Sequence, residues 1–424
     1  MYKNDTVQFL INLQRFGWRL GLHNITGLLE EMGNPHLRFK SIHLGGTNGK
    51  GSTAAMLESI FRQSGYKTGL YTSPHLLDET ERIKVKGSSI TWENLKFYLN
   101  QVRDKIQRLE CTYFEALTAV AFQHFADSCV DVAFIEVGLG GRFDATNVIR
   151  PQLTIITEID LDHMEYLGTT KKSIAIEKAG IIKIKIPCLS GATNQKVKAI
   201  LAHISKERNA KFYDLKDFCT LHPKNLTEEF SEFKLIFSDK QYYHLKLGLV
   251  GRHQIKNAAL AVAAVQILNQ QNFNIKKEDI YKGFEKICWP GRLQKLQNNP
   301  KIVLDVAHNP AGMRKLVSAL KSIYHYDRLI FIIGILKDKN YKVMTKIITS
   351  VADYIFIVTP STERSLPGDQ LAKEIVKFSD KFQICPNTMH AFQTAVSFSN
   401  QKDLICVTGS HYTVGEFLKC YKNS

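Results

Sequence analysis

Apolar runs of strand length alternate with longer amphipathic stretches through the first half of the chain. The strand-like runs cover residues 68–72, 130–137, 153–159 and 186–189, and the helix-like stretches cover 94–108, 115–126, 171–179 and 195–208. Short apolar runs bounded by helical stretches are typical of strands that are buried on both faces of a parallel sheet. The alternation therefore predicts an α/β domain with a mainly parallel sheet and helices on its faces.

The pattern becomes less regular after this point. Residues 210–250 contain short alternating runs at 233–237 and 242–247, which predict a small antiparallel appendage. Two further helices are expected at 255–269 and 277–287.

A second alternation of strands and helices follows. Turn-forming residues first interrupt the chain at Trp289-Pro290-Gly291 and Asn298-Asn299-Pro300. Strand candidates then occur at 301–306, 328–335, 354–359 and 404–408, with helices between them. We predict a first domain at 1–288, a linker at 289–300 and a smaller, doubly wound domain at 301–424. A ligand is expected in the cleft between the domains, near the carboxyl ends of the strands.

A glycine-rich segment carries the first candidate chemistry. Residues 46–52, Gly-Thr-Asn-Gly-Lys-Gly-Ser, separate an apolar run at 39–44 from a helix-forming stretch at 53–62. In such a strand, loop and helix arrangement, backbone N–H groups turn towards phosphate oxygens and the helix contributes its positive N-terminus. Lys50 would reach the terminal phosphates and Ser52 would hold Mg²⁺. The segment predicts a nucleoside triphosphate site.

This loop departs from the strict P-loop pattern at two positions. Leu44 stands where the pattern has its first glycine, and Gly51 separates Lys50 from Ser52. A glycine-rich turn without a ligand is therefore the alternative.

Composition restricts the class of protein. The chain has 424 residues, of which 44% are hydrophobic and 23% are charged, and no apolar run is long enough to span a bilayer. The N-terminal residues Met1–Thr6 are polar, so we expect no signal peptide and predict a cytoplasmic protein without a membrane partner. The eight cysteines form no C-x-x-C pair, which argues against a zinc knuckle and a disulfide framework.

The net charge is +16, from 56 lysines and arginines against 40 acidic residues. Such a balance favours anionic ligands. Because the basic residues are spread along the chain and no nucleic-acid-binding motif is visible, we predict no nucleic-acid partner. ATP and a polycarboxylate substrate agree with the sign of the charge, and a lysine-rich solvated surface is the alternative.

Four further residues lie where loops should leave the carboxyl ends of strands, or at the end of a helix. Glu136 ends a strand before a glycine cluster, as a Mg²⁺-binding carboxylate near phosphates requires. Ser73 follows a strand and could lend its hydroxyl to a metal. Three of the four residues have an ordinary alternative. His163 could be a hydrogen-bonding loop residue, Lys178 could be a surface lysine, and Ser73 could belong to a simple turn.

The order of these segments resembles one family. After the phosphate loop come Thr-Ser-Pro-His-Leu at 72–76, Glu-Val-Gly-Leu-Gly-Gly-Arg-Phe-Asp-Ala-Thr-Asn at 136–147, Asp-His at 162–163 and Glu-Lys-Ala-Gly-Ile at 177–181. Further matching segments lie at 251–258, 290–292, 305–310 and 408–410. Over nearly its whole length the chain resembles the folylpolyglutamate synthase and dihydrofolate synthase family of the Mur ligase superfamily.

The resemblance implies a P-loop ATPase domain followed by a smaller, Rossmann-like α/β domain. The residues implied to bind ATP are Thr47, Asn48, Gly49, Lys50, Gly51, Ser52, Asn257, Arg292 and Asp305. Those implied to bind two Mg²⁺ ions are Ser52, Ser73 and Glu136 for the first ion and His163 for the second. Lys178 matches a lysine that the family carries as a carbamate, and burial would favour the neutral amine that carbamylation needs.

For the acceptor, the resemblance implies a pteroate pocket. Its residues are Thr112, Tyr113, Phe114, Glu115, Phe143, Asp144 and Ala145. An aromatic pair beside an acid suits a flat heterocycle with N–H donors, while core packing is the alternative for Tyr113 and Phe114. Arg19 stands where an acid is expected in another part of this pocket. The sequence therefore leaves open whether dihydropteroate, reduced folates or both are acceptors.

The reaction implied is ATP-dependent amide formation that releases ADP and phosphate. ATP converts a carboxylate into an acyl phosphate, while the two Mg²⁺ ions and Lys50 offset charge on the transferred phosphoryl group, and the amine of L-glutamate then attacks. Lys50, Lys178 and His308 are the implied catalytic residues, with a structural role as the alternative for His308. The resemblance also implies a monomer.

Two other classes are disfavoured by the sequence. A muramyl-peptide ligase would carry a nucleotide-sugar-binding domain before the ATPase domain, whereas 45 residues precede Gly46 here. A P-loop switch or nucleic-acid motor would show its own motifs after the loop, where this chain has Asp-Ala-Thr-Asn and Glu-Lys-Ala-Gly-Ile instead.

Overall fold

The computed structural model of the chain describes residues 2–13, 21–237 and 242–422. They form two compact units. The first takes its residues from Met1–His222, Lys234–Leu245 and Lys256–Ile287, and the second from Pro223–Phe233, Lys246–Ile255 and Cys288–Ser424. The predicted domain bounds of 1–288 and 301–424 stay a prediction.

The first unit is built on an eight-stranded sheet. Its strands are β1 (Lys40–Gly45), β2 (Thr68–Tyr71), β3 (Ile83–Val85), β4 (Ser88–Ser89), β5 (Val132–Glu136), β6 (Leu153–Ile156), β7 (Cys188–Ser190) and β8 (Phe212–Asp214). Their order is β4-β3-β2-β5-β1-β6-β7-β8. Only the β2–β3 and β3–β4 pairs are antiparallel, and the remaining neighbours run parallel. The predicted mainly parallel sheet is confirmed.

Helices follow most of these strands. They are α1 (Tyr2–Leu13), α2 (His23–Glu31), α3 (Lys50–Gln63), α4 (Trp92–Arg108), α5 (Tyr113–Asp127), α6 (Met164–Leu167), α7 (Lys171–Ala179), α8 (Gln195–Glu207), α9 (Leu215–Phe218), α10 (Arg252–Asn269) and α11 (Lys277–Glu285). The apolar alternation predicted the longer ones apart from α1 and α2. Within residues 2–13, 21–237 and 242–422, no helix is both long and apolar enough to cross a bilayer.

Helix α3, which follows β1, is fixed by close packing. A side chain at Gly283 of α11 would come within 2.6 Å of Ile60 Cα, so the two helices meet at short range. Ser59 Oγ donates a hydrogen bond to Gly283 O at 2.8 Å. On the sheet side, the Phe61 ring meets Phe134 of β5 with ring centroids 5.1 Å apart. These contacts hold α3 against both the sheet and α11.

The register of the sheet decides where the loops meet. Leu44 is paired with Glu136 in β5, and Gly45 is paired with Ile156 in β6. Because β2, β5, β1 and β6 are parallel neighbours, the segments that follow them all leave the same edge of the sheet. The phosphate loop, Ser73, Glu136 and the segment before His163 therefore lie along one edge.

A separate three-stranded sheet is formed by residues within 219–237 and 242–247. Its strands are β9 (Cys219–Leu226), β10 (Ser231–Phe237) and β11 (Tyr242–Leu247), in the order β11-β10-β9. Each connection spans only residues 227–230 or 238–241, which is too short for a parallel crossover, so neighbouring strands are antiparallel. Strands β10 and β11 lie at the predicted runs, and β9 is an additional strand that Pro223 had obscured. The appendage itself stays a prediction.

The second unit has a six-stranded sheet in the order β12-β13-β17-β14-β15-β16. Its strands are β12 (Gln294–Asn298), β13 (Lys301–Leu304), β14 (Leu329–Ile333), β15 (Tyr354–Ile357), β16 (Phe382–Ile384) and β17 (Leu404–Thr408). Its helices are α12 (Pro310–Ile323), α13 (Tyr341–Thr349), α14 (Gly368–Ile375), α15 (Thr388–Phe398) and α16 (His411–Lys422). Strand β12 is antiparallel to β13 and lies inside the stretch predicted as a linker, while the other pairs are parallel.

Candidate active site

The phosphate loop connects β1 to α3 through two glycines with positive φ. Gly46 has φ +134° and Gly49 has φ +94°, a region that residues with a side chain rarely adopt. A Cβ at Gly46 would overlap Thr157 Oγ1, and one at Gly49 would lie 2.5 Å from Asn257 Oδ1. The loop therefore requires glycine at both positions. The predicted order of strand, loop and helix is confirmed, although α3 begins at Lys50, three residues before the predicted start.

The loop is anchored to the segment that follows β6. Thr47 N donates to Glu158 O at 2.7 Å, and an antiparallel bridge pairs Asn48 with Glu158. The Thr47 hydroxyl donates to Asp160 O and accepts from Asp160 N, both at 3.0 Å. These bonds fix the backbone that would surround the phosphates.

Lys50 lies beside a carboxylate at the start of α3. Its Nζ is 3.8 Å from Glu136 Oε1 and donates to Thr47 O at 3.3 Å. Glu136 Oε2 accepts from Ser73 N at 3.2 Å. Ser52 lies in the first turn of α3 and is buried. Three of the residues predicted for phosphate and metal binding, Lys50, Glu136 and Ser73, are thus brought together.

These residues suit a Mg²⁺ ion that is bound through nucleotide phosphates. Among the residues that the structure describes, no group of three or more His, Cys, Asp or Glu side chains is arranged to hold a metal. Mg²⁺ at nucleotide sites is usually held by one or two carboxylates together with phosphate oxygens. The buried carboxylate of Glu136 agrees with such a donor set.

Lys178 is buried, with a relative exposure of 5%, which excludes the alternative of a surface lysine. Its Nζ donates to Gly46 O at 2.8 Å. The backbone of α7 approaches the glycine cluster after β5 so closely that a Cβ at Gly141 would lie 2.9 Å from Lys178 O. The structure therefore brings Lys178 to the phosphate loop, and its carbamylation stays a prediction.

His163 occupies the loop between β6 and α6. It has φ +50°, and its Nε2 lies 3.9 Å from Asp162 Oδ1. The side chain is about a third exposed, at 30%. Its assignment to a second Mg²⁺ ion stays a prediction.

Asp305, after β13, is a buried acid of the second unit. It accepts hydrogen bonds from Leu293 N at 3.0 Å and Ala307 N at 2.9 Å. Burial raises the pKa of Asp305 to about 6, although the Arg292 guanidinium and these two bonds act in the opposite direction. An acid held by backbone N–H groups is fixed in orientation.

Arg292 and two histidines lie near one another in the same unit. Arg292 Nη1 donates to Gly291 O at 3.1 Å, and Nη2 is 3.5 Å from His411 Nε2. The rings of His308 and His411 have centroids 5.3 Å apart. His308 Nδ1 lies 2.9 Å from Val306 O, so this nitrogen carries the proton and leaves Nε2 as the acceptor in the neutral ring.

His411 was missed by the sequence reasoning. It directly follows the Thr408-Gly409-Ser410 segment that belongs to the family resemblance. A histidine at the start of α16 beside that segment was the available signal.

The predicted acceptor residues lie at the start of α5 and after β5. Thr112 Oγ1 accepts from Glu115 N at 3.2 Å and Thr112 N donates to Glu115 Oε2 at 2.7 Å, so the pair forms a capping box. The Phe114 ring stacks on Tyr71 with centroids 5.8 Å apart. A Cβ at Gly138 would lie 2.5 Å from the tip of Phe114. The structure therefore joins the two segments at Phe114.

The remaining acceptor residues are partly or fully buried. Tyr113 packs against the core, with the Arg82 guanidinium 5.3 Å from its ring centroid. Asp144 accepts from Leu139 N at 2.8 Å, and burial raises its pKa despite its hydrogen bonds. Phe143 is half-buried and Ala145 is buried. Core packing and ligand contact are both compatible with these positions, and Arg19 lies outside the described residues.

Family models cover most of the chain. Residues 44–265 match the Mur ligase middle domain, and residues 291–411 match the Mur ligase glutamate ligase domain.

Curated relatives and solved structures agree with these matches. The chain is 35% identical to the dihydrofolate synthase/folylpolyglutamate synthase of Bacillus subtilis, over 96% of both chains. It is similar to Mycobacterium tuberculosis folylpolyglutamate synthase complexed with ADP and AMPPCP, with a TM-score of 0.90, 29% identity and coverage of 98% of this chain and 99% of that one. It is also similar to the bifunctional folylpolyglutamate synthase/dihydrofolate synthase of Yersinia pestis complexed with AMPPNP and Mn, with a TM-score of 0.86, 27% identity and coverage of 99% and 98%.

Proposed function

This chain belongs to the folylpolyglutamate synthase and dihydrofolate synthase family of Mur ligases, which makes it an ATP-dependent, ADP-forming ligase of glutamate, and we propose that it accepts both dihydropteroate and reduced folates. The proposal for the acceptors rests on the similarity to dihydrofolate synthase/folylpolyglutamate synthases. The observation that supports ATP-dependent ligation is the placement of Lys50 Nζ 3.8 Å from Glu136 Oε1 beside the glycine loop. A cation for the terminal phosphates thus stands beside a carboxylate for the metal.

The phosphate end of ATP lies in the loop formed by Thr47, Asn48, Gly49, Lys50, Gly51 and Ser52. Ser52, Ser73 and Glu136 would hold the first Mg²⁺ and His163 the second, and Lys178 would lie near the loop as a carbamate. Bound Mg²⁺ supplies positive charge against the transferring phosphoryl group. The burial of Glu136 and Lys178 supports this arrangement because charges interact more strongly away from water.

Further ATP contacts come from Asn257 at the adenine and ribose and from Arg292 and Asp305. The Asn257 side chain faces Gly49, which supports its role. Arg292 supplies a planar, permanently charged fork suited to phosphate oxygens.

The reaction forms two bonds in succession, first between the acceptor carboxylate and phosphorus and then between the acyl carbon and the glutamate nitrogen. The acceptor carboxylate attacks the terminal phosphorus of ATP and ADP leaves, which gives an acyl phosphate. The amine of L-glutamate then attacks the acyl carbon, and the tetrahedral intermediate expels phosphate to leave the amide. Lys50 stabilises negative charge during phosphoryl transfer. The acceptor nitrogen of His308 is the group proposed to take a proton from the attacking amine.

The pterin ring binds at Thr112, Tyr113, Phe114, Glu115, Phe143, Asp144 and Ala145. The contact between Phe114 and Gly138 supports one pocket for both segments. Glu115 Oε2 already accepts the hydrogen bond of the capping box. The pterin ring is therefore bound mainly by the aromatic rings of Tyr113 and Phe114 and by the backbone of the loop at 143–145.

The first test is ADP release by the purified protein with ATP, Mg²⁺ and L-glutamate. Dihydropteroate and tetrahydrofolate are compared as acceptors. Lys50→Ala should lower the rate roughly 100-fold or more, whereas Lys196→Ala, at an exposed lysine of α8, should leave it unchanged.

Turnover on both acceptors that is lost in Lys50→Ala would support the bifunctional assignment. Turnover on tetrahydrofolate alone would restrict the enzyme to folylpolyglutamate synthesis. Absence of turnover on either acceptor would contradict the folate assignment.

We also propose a cytoplasmic monomer. All eight cysteines are free thiols in the structure, which suits a reducing compartment. Light scattering after size exclusion would test the oligomeric state, and a mass near 96 kDa, twice the 48.2 kDa of the chain, would contradict the monomer.

A further inference from the structure

The carboxylate of Glu158, just beyond β6, is held by a set of donors that no sequence motif indicated. Its Oε2 accepts from Lys256 Nζ at 2.6 Å and from Thr193 Oγ1 at 2.9 Å. Its Oε1 accepts from Thr193 N at 3.1 Å. Burial tends to raise the pKa of Glu158, but the bonds from Lys256 and Thr193 outweigh burial and hold the pKa below its usual value.

The backbone of the same residue holds the phosphate loop. Glu158 O accepts from Thr47 N at 2.7 Å, and Glu158 pairs with Asn48 in an antiparallel bridge. Any movement of Glu158 would therefore be transmitted to the two loop residues before Gly49.

Its partner Lys256 directly precedes Asn257 near the start of α10. The Asn257 side chain faces the loop, since a Cβ at Gly49 would lie 2.5 Å from Asn257 Oδ1. The Glu158–Lys256 ion pair thus ties the first turns of α10 to the segment that anchors the loop. Both ends of the proposed nucleotide site are therefore connected through Glu158, whose backbone contacts the phosphate loop and whose side chain contacts Lys256, next to Asn257.

We propose that Glu158 is a positioning residue that sets the spacing between the phosphate loop and Asn257 and thereby determines nucleotide affinity. The two residues are 98 positions apart in sequence. Their ion pair joins the segment after β6 to α10, two elements whose separation the parallel sheet alone does not fix. Lys256 and Thr193 act through Glu158, and none of the three takes part in the chemical step. The inference rests on the proposed function only in placing ATP at this loop.

The experiment measures ADP binding by calorimetry, which requires no acceptor and no turnover. Glu158→Gln removes the charge that Lys256 faces while it retains the shape of the side chain. We expect the Kd for ADP and the KM for ATP each to rise about tenfold, with kcat within about twofold of the wild type. The KM values for glutamate and for the folate acceptor should not change.

Matched variants separate positioning from general loss of stability. Glu207→Gln makes the same substitution in the exposed pair with His203 and should leave ADP binding unchanged. Lys256→Met should weaken ADP binding as much as Glu158→Gln does, and the double variant should be no weaker than either single one. Lys256→Arg keeps the charge and should restore most of the affinity.

The outcomes distinguish this inference from the proposed function. ADP affinity within about twofold of the wild type in folded Glu158→Gln and Lys256→Met proteins would overturn the inference. A fall in kcat with unchanged ADP affinity would overturn it as well. If Glu158→Gln does not fold, the milder Thr193→Val and Lys256→Met carry the same test. Failure of the folate assignment would appear as missing turnover in the wild type, with ADP binding intact.

Discussion

Lys178 Nζ donates a hydrogen bond to Gly46 O at 2.8 Å across 132 residues of sequence. The bond joins the last turn of α7 to the first residue of the phosphate loop. The side chain is buried and reaches the backbone that would surround the phosphates, so Lys178 is not a surface charge.

Replacing Lys178 with methionine should lower kcat roughly 100-fold, because the amine or its carbamate is lost while the aliphatic chain is retained. ADP release provides the measurement. Lys172→Met, at an exposed lysine of the same helix, is the matched control and should remain active. In addition, ¹³C-labelled bicarbonate should give a carbamate signal in the wild type only. Full activity of Lys178→Met would contradict a catalytic role, and absence of the signal would contradict the carbamate.

Two glycines with nearly the same φ allow the cost of a strained backbone to be separated from the cost of a steric clash with the added Cβ. Gly49 has φ +94° and Gly65 has φ +92°, but a Cβ meets Asn257 at Gly49 and nothing within 4 Å at Gly65. Both alanine variants should lose about 1–2 kcal/mol of unfolding free energy from the backbone conformation. Only Gly49→Ala should also lose ADP affinity, measured by calorimetry. Equal ADP binding by the two variants would show that the loop tolerates a side chain.

The raised pKa of Asp305 makes a testable contribution to stability. In the unfolded chain this carboxyl ionises near 3.8, whereas the folded value is about 6, so folding favours its protonated form. The contribution is therefore fully present below pH 3.8 and is lost as the pH rises through about 6. The loss should be on the order of 3 kcal/mol, from about 1.4 kcal/mol per pKa unit.

Thermal unfolding of Asp305→Asn and wild type, followed from about pH 4 to about pH 7, measures this contribution. The wild type should lose stability relative to the variant as the pH rises. Asp369→Asn removes an exposed aspartate of the same unit and should follow the wild type. Parallel curves for Asp305→Asn and the wild type would mean that the carboxyl ionises normally in the folded protein.

Tyr113 offers a test of acceptor binding that is independent of ATP. Its ring lies between the core and the Arg82 guanidinium. Tyr113→Ala should raise the KM for dihydropteroate about tenfold, because stacking of a ring on an aromatic face is worth on the order of 1 kcal/mol and the pocket also loses its shape. The Kd for ADP should remain unchanged. Phe97→Ala, at an exposed aromatic residue of α4, is the control, and equal KM values in both variants would limit Tyr113 to core packing.

The short strands β3, β4 and β8 were not predicted, whereas the other strands of the main sheet and the loop were predictable because buried parallel strands and glycine-rich turns leave strong local patterns. Strands β12 and β16 were not, since Gln294–Asn298 is almost wholly polar and Phe382–Ile384 is only three residues long. Both strands lie at the edges of the sheet, where a strand has a neighbour on one side only and its residues are less buried. The early start of α3 was hidden for another reason, because Gly51 lowers helix propensity at a position that tertiary packing makes helical.

For the site, the sequence identified single residues more easily than contacts between residues that are distant in sequence. Lys178 follows Glu177 in an amphipathic stretch, and nothing local shows that its side chain turns inward. The pairing of Glu158 with Lys256 depends on how β6 and α10 are brought together over 98 residues, so no local pattern encodes it. His411 was also missed, because a single histidine at a helix start is an ordinary feature of a surface.

The packing of Gly283 against Ile60 has a consequence for the thermodynamics of nucleotide binding. Helix α3 is clamped between α11 and the sheet, so the backbone N–H groups at its start already point in one direction before any ligand arrives. The conformational entropy of ordering these groups is lost during folding rather than during association. Affinity for the triphosphate is therefore set in part by a helix contact that never touches it.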